Sequence, residues 1–268
     1  MAVHIPAQRS TRLGAIVARR RTRLAESKRT LPLPKLEERA AAAPPPRDFA
    51  AALARNGLNV VAELKKASPS GGLLRAAYNS ALLAPALEGA GAVALSVLTE
   101  EDFFQGSLDD LALTRRLCRV PVLRKDFLFD PYQLFEARTA GADAFLLITA
   151  ILTDGELRQL RILGEQLGMA ALVEVHSPDE LNRALSAGAR LLGVNNRDLT
   201  TFTVDLATST HLIEAIPDEC IAVSESGLRS HAELKRLCDA GFDAFLIGEH
   251  LMRARDPAAA LKELLGAS

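Results

Sequence analysis

Glu63, Lys65, Lys125, Glu174, Asn195 and Arg197 share a peculiarity of placement: each stands at or just past the end of a short apolar run, in "NVVAELK", "VPVLRK", "AALVEV" and "GVNNRDL". Backbone destined for a core does not ordinarily carry ions, so these residues mark a rim where strands open onto solvent or ligand. Lysines there supply charge for an anion or a proton for a departing oxygen, and carboxylates beside them accept protons. Residues two apart point to one face of an extended chain. Glu63 and Lys65, Glu174 and His176, and Asn195 and Arg197 therefore address common space.

Two further runs end in "SESG" (224–227) and "LIGEH" (246–250). Ser226, Gly227, Gly248 and Glu249 put small residues where backbone N–H groups can approach a phosphate. Glu249 beside a dianion is expected to turn its side chain away while its N–H donates. A phosphorylated small-molecule substrate follows. Any one of these acid–lysine pairs reads equally well as a solvated salt bridge; six runs ending alike are harder to explain that way.

The elements that must hold these groups are visible as a repeat. "AGAVAL", "AGADAF", "AGARLL" and "AGFDAF" recur at separations of 50, 47 and 53 residues, each closing a helical pattern on glycine and entering an apolar run. Four more runs interleave with them, giving eight that begin near 59, 92, 120, 143, 170, 190, 219 and 243. The mean step of about 26 residues holds one strand, one helix and two short loops. Uniformly apolar strands suit a parallel sheet covered by helices. Eight such units, with no G-x-G-x-x-G turn, predict a single closed (β/α)8 TIM barrel over residues 48–268, with chemistry at the C-terminal strand ends.

Residues 1–47 stand outside the repeat and are expected to form a helical extension packed on the barrel. Leu13, Ile16, Val17 and Leu24 have helical spacing, and "AAAAPPP" breaks the chain after them. The helix is expected to pack on the barrel or to border the substrate mouth, and "RLAESKRTLPLPKLEER" reads as its solvated face.

Composition excludes several function classes. Thirty-two basic against thirty-three acidic residues leave a net charge of −1, which gives no global field for nucleic acid or an anionic membrane. No apolar run nears the roughly 18 residues needed to span a bilayer. The arginine-rich N-terminal stretch carries Glu26 and continues as a charged helical pattern, unlike a presequence. Three cysteines without C-x-x-C spacing suit a reducing cytoplasm. His176 beside Glu174 hints at a metal pair, but only Asp126 and Asp198 are near enough in rim motifs to extend it, so no metal is expected.

At these residues the sequence resembles the indole-3-glycerol-phosphate synthase family of tryptophan biosynthesis. The blocks "VVAELKKASPSGG", "ALSVLTEEDFFQGS", "VPVLRKDFLFDPYQ", "GADAFLLI", "LVEVHSPDEL", "GVNNRDLTTF", "SESGL" and "FLIGEHLM" carry the resemblance over about residues 48 to 255. It implies ring closure of 1-(2-carboxyphenylamino)-1-deoxyribulose 5-phosphate with loss of CO2 and water, and no cofactor. It implies Lys125 as the acid at the ketone oxygen, Lys65 at the substrate carboxylate and Glu63 and Glu174 as proton carriers. Asn195 would orient hydroxyls and Arg197 support the cluster. Ser68 would lie near the carboxylate, and Ser226, Gly227, Gly248 and Glu249 at the phosphate. Phe104, Phe127 and Leu146 are expected to wall an aromatic ring, Leu146 being equally readable as core.

The residues also suit a lysine acid whose pKa is lowered by neighbouring cations or burial. A Schiff-base aldolase using Lys125, and a non-catalytic barrel that binds a phosphorylated metabolite, are the rival readings. The chain is expected to be monofunctional, since it ends after the eighth helix, and to act as a monomer or weak homodimer.

Overall fold

The computed structural model describes residues 12–198, 201 and 203–267. The first eleven residues of the extension, Leu199, Thr200 and Phe202 of the "GVNNRDLTTF" block, and Ser268 lie outside the described residues. Eight strands close a barrel: β1 (Asn59–Leu64), β2 (Ala94–Leu98), β3 (Val122–Lys125), β4 (Ala144–Ile148), β5 (Ala170–Val175), β6 (Leu191–Asn195), β7 (Ile221–Glu225) and β8 (Ala244–Ile247). Every neighbouring pair is parallel, and β1 closes against β8. Each strand begins within two residues of the position that its apolar run predicts.

The repeat phrases do the work their composition suggests. Gly91, Gly141, Gly188 and Gly241 all have positive φ, between 86° and 113°. Each lets the next amide fold back on its helix, as Ala142 N does to the Ala137 carbonyl at 2.9 Å, before the following strand starts. At the other end of the helices, Ser107, Asp130, Thr153, Ser177 and Ser230 accept hydrogen bonds from first-turn amides. Early capping turns the chain within a few residues of most strand ends. The longer rim loops follow β1, β2 and β6.

The sequence predicts one N-terminal helix; the structure has two, α1 (Arg12–Thr30) and α2 (Leu33–Ala42). Pro32 lacks the N–H that would continue the helix. The Tyr132 hydroxyl sits at the break, 3.0 Å from the Ser27 carbonyl and 2.7 Å from that of Leu31. Leu13, Ile16, Val17 and Leu24 are buried, as their spacing requires, and Arg20 is buried in the same stripe. The charged face is mainly exposed but not idle. Arg23 pairs with Asp102 at 2.9 Å and Lys28 with Asp130 at 2.7 Å, pinning α1 to the barrel rim.

Candidate active site

A cavity of about 490 Å3 opens at the C-terminal rim, and all fourteen residues picked out above as site candidates line it. β1 brings Glu63, with Lys65 one residue beyond its end; β3 brings Lys125; β4 brings Leu146; β5 brings Glu174; β6 brings Asn195. Parallel register sets their heights. Glu174 stands level with Ile148 and Gly193, and Asn195 with Glu225.

The centre is a lysine between two carboxylates. Lys125 Nζ donates to Glu174 Oε2 and to Glu225 Oε2, each at 2.8 Å. The three side chains are 12%, 2% and 1% exposed. Lys65 Nζ pairs with Glu63 Oε1 at 2.5 Å. The expected lowering of the Lys125 pKa is therefore corrected. Burial does pull its ammonium down, but Glu174, Glu225 and Glu63 outweigh burial and hold it well above the ordinary lysine range.

The two glutamates respond differently to that shared cation. Burial favours the neutral form of Glu174, yet Lys125 and then His176 overcome it and hold the carboxyl far below its usual range. Burial pushes Glu225 up to about 7 against the pull of Lys125, with Glu174 adding repulsion. Two glycines make space for these acids. A Cβ at Gly193 would stand 2.1 Å from Glu225 Oε1, and one at Gly248 would stand 2.2 Å from Glu63 Oε1.

Glu225 is the residue that sequence reasoning missed. The signal was present, because Glu225 is the last residue of β7 inside the quoted "SESG". Small residues suited to a phosphate follow it, but the acid itself obeys the same strand-end pattern as Glu63, Lys125, Glu174 and Asn195. Leu13 and Ile16 of α1 also border the cavity, so the extension contributes to its wall as well as packing on the barrel.

The loops around this centre are tied down individually. Glu100, itself buried, accepts the amides of Phe103 at 2.8 Å and Phe104 at 3.0 Å, which presents the Phe104 ring 6.1 Å from that of Phe127. Ser68 and its neighbour Ala67 form a two-residue ladder with Gly72–Leu73, and Ser68 Oγ accepts the Gly71 amide at 3.0 Å. Asn196 bonds the carbonyls of Glu225 and Ser226 at 3.0 and 3.1 Å, holding the turn in which Ser226 and Gly227 both have positive φ.

The Glu249 carboxylate is paired with two arginines. Arg253 Nε lies 3.0 Å and Arg197 Nη2 3.2 Å from it, and these cations outweigh burial and lower its pKa. The same arginines reach the loop after β1, Arg197 to Ser70 Oγ at 3.2 Å and Arg253 to the Gly71 carbonyl at 3.0 Å.

His176 and Asp126, weighed above as metal ligands, are spoken for otherwise. His176 lies between Glu174 and Glu180. Asp126 accepts from Arg20, Arg124 and Thr99. Among the described residues no group of three His, Cys, Asp or Glu is arranged to hold a metal ion, and no helix is long and apolar enough to cross a membrane.

Comparison with known proteins places this geometry. Solved barrels are alike in fold alone: KGPDC from Streptococcus mutans matches at a TM-score of 0.60 with 16% identity, covering 78% of this chain and 96% of that one. Sequence relatives are far nearer. Indole-3-glycerol phosphate synthase of Koribacter versatilis is 50% identical over 260 residues, covering 96% of this chain and all of the relative. Indole-3-glycerol phosphate synthase 2 of Streptomyces coelicolor is 51% identical over 232 residues, 87% of this chain and 90% of the relative. The sequence signature described as indole-3-glycerol phosphate synthase matches residues 13–264, and the chain belongs to that family of carboxy-lyases.

Proposed function

We propose that the cavity converts 1-(2-carboxyphenylamino)-1-deoxyribulose 5-phosphate to indole-3-glycerol phosphate with Lys125 as the acid at the ketone. The observation that carries this is the buried Lys125 ammonium held by Glu174 and Glu225, 2.8 Å from each, on the floor of a cavity large enough for the substrate. The ring carbon bearing the carboxylate attacks the ketone carbon, and Lys125 protonates the oxygen as charge builds there. An alkoxide is more basic than an amine, so the transfer runs downhill even from a lysine with a raised pKa. Loss of CO2 returns the electron pair to the ring. Protonation of the new hydroxyl, departure of water and loss of a methylene proton complete the indole.

Glu63 and Glu174 beside the lysines serve these later proton transfers on this reading, with Lys65 at the substrate carboxylate and near Ser68. Asn195 orients hydroxyls and Arg197 braces the cluster through Glu249. Phe104, Phe127 and Leu146 flank the arene. Ser226, Gly227, Gly248 and Glu249 offer amides to the phosphate, whose charge the neighbouring Arg197 and Arg253 favour. Free thiols and a site built within one chain support a cytoplasmic monomer or weak homodimer.

The test uses indole fluorescence, which appears on a dark background because the protein has no Trp. Wild-type protein should produce it from the substrate, and Lys125→Ala should lower kcat by roughly a thousandfold with little change in affinity for the product. Unchanged turnover removes Lys125 from the chemistry. Borohydride with substrate present should leave no adduct; a trapped lysine would instead favour the aldolase.

A further inference from the structure

Asn196 directly follows β6 and is 2% exposed, although its neighbours Asn195 and Arg197 both line the cavity. Alternation turns it away from the rim, toward the helix Ala207–Leu212. Every hydrogen-bonding group it carries is used. Its amide donates to the Glu225 carbonyl at 2.9 Å, and its own carbonyl accepts the Asp205 amide at 2.9 Å. Its side-chain oxygen accepts the Ser209 amide at 3.0 Å, while Nδ2 reaches the carbonyls of Glu225 and Ser226 at 3.0 and 3.1 Å and Ser224 Oγ at 3.2 Å. These partners fix the carboxamide, because the flipped group would set an oxygen against two carbonyls.

The turn held in this way resists its own shape. Ser226 has φ 67° and Gly227 φ 85°. Glycine adopts that left-handed backbone freely, whereas serine leaves it unless the surroundings hold it there. The two carbonyls gripped by Asn196 belong to the peptide groups on either side of the Ser226 α-carbon, and fixing both peptides fixes φ and ψ between them. The loop that starts at Asn196 also packs on the turn, since a Cβ at Gly227 would stand 2.5 Å from Val204 Cγ1.

Among the described residues the amides of Ser226, Gly227 and Leu228 have no hydrogen-bond partner, and all three residues line the cavity. Consecutive unpaired amides on such a turn form a backbone concavity that takes up an anion. Relaxation of Ser226 would rotate its peptides and disperse those donors.

We infer that Asn196 is a positioning residue for the phosphate end of the substrate, acting from behind the rim by keeping Ser226 left-handed. The inference rests on the phosphate role proposed for this turn and adds to it a residue that touches no substrate. Glu225 does not need the same support, being paired in its strand with Asn195 on one side and Leu246 on the other. Phosphate affinity and the chemistry at Lys125 are therefore separable through Asn196.

Inorganic phosphate is the probe, titrated against the protein by phosphorus-31 NMR so that binding is read without turnover. Asn196→Ala should weaken phosphate about tenfold and raise KM for the substrate by a similar factor, with kcat within about threefold of wild type. The same substitution in a Ser226→Gly background should cost only about twofold or less, because position 226 no longer resists the left-handed form. An equal loss in both backgrounds makes Asn196 a packing residue, and an unchanged phosphate affinity in Asn196→Ala overturns the inference outright. Should Asn196→Ala not fold, Asn196→Ser keeps a shorter donor and should give the same dependence on position 226 at smaller size; equal losses there overturn the inference as well. Wild-type protein that binds phosphate but does not turn over would overturn the proposed function alone, and wild-type protein that binds no phosphate would overturn this inference.

Discussion

Arg124 and Lys125 are adjacent in β3, and the alternation of a strand sends them into two different clusters of buried charge. Arg124 faces the helices. It donates to Thr99 Oγ1 at 3.1 Å, the Gln133 carbonyl at 2.6 Å, Asp126 at 3.0 Å and Glu136 at 3.3 Å. Arg20 from α1 completes that cluster, 2.8 Å from Asp126, so two buried cations meet two buried anions, with the more exposed Glu101 3.6 Å from Arg20, and Asp126 is held below its ordinary pKa in spite of burial. Lys125 faces the barrel interior, where Lys65 and Lys125 meet three carboxylates and one oxygen of Glu225 goes without a partner. A cluster that balances its charges locks an element in place. A cluster left with a surplus carboxyl beside a cavity keeps a group able to change its protonation state.

Removing one member from each side should break the two clusters in opposite ways. Arg124→Met leaves buried carboxylates short of a partner and should lower stability by about 3 kcal/mol, read as a lower urea midpoint, with kcat per folded molecule within about threefold of wild type. Comparable loss of kcat and stability would mean that the outer cluster is part of the chemistry. Glu225→Gln should do the reverse, lowering kcat by roughly a hundredfold, equivalent to about 2.7 kcal/mol, while the urea midpoint holds or rises because a surplus buried acid is gone. A destabilised but active Glu225→Gln would make Glu225 a structural residue.

A smaller effect sharpens the contrast by pH. His176 is raised from 6.5 to about 10 by folding, so its contribution to stability is fully present below pH 6.5 and is lost as pH rises through about 10. The urea midpoint should therefore decline from pH 7 to 10, and the decline should flatten in His176→Gln. Asp126 works with the opposite sign, its contribution being lost only as pH falls below the ordinary carboxylate range, so acid should loosen the outer cluster.

These contrasts mark where the sequence was readable. Strand starts and helix ends followed from local chemistry, apolar runs and Ala-Gly phrases, which act over a few residues. The cavity lining was readable because a barrel gathers all its strand ends on one rim. What depended on partners distant in sequence was not readable. Arg20 and Asp126 lie 106 residues apart, and nothing near either announces the other. The direction of the Lys125 shift was missed for the same reason, since it is set by acids 49 and 100 residues away. The break between α1 and α2 needed only Pro32, a local signal, but the Tyr132 hydroxyl that occupies it comes from the barrel.

The absent side chain at Gly193 has a consequence for how this site can change over generations. Its missing methyl is the volume in which the Glu225 carboxyl tip sits, so the two positions are coupled: alanine at 193 would push that tip from its place beside Lys125, and costs less once the acid at 225 has been shortened or lost. A change of chemistry on this rim therefore meets less resistance in that order of steps than in the reverse.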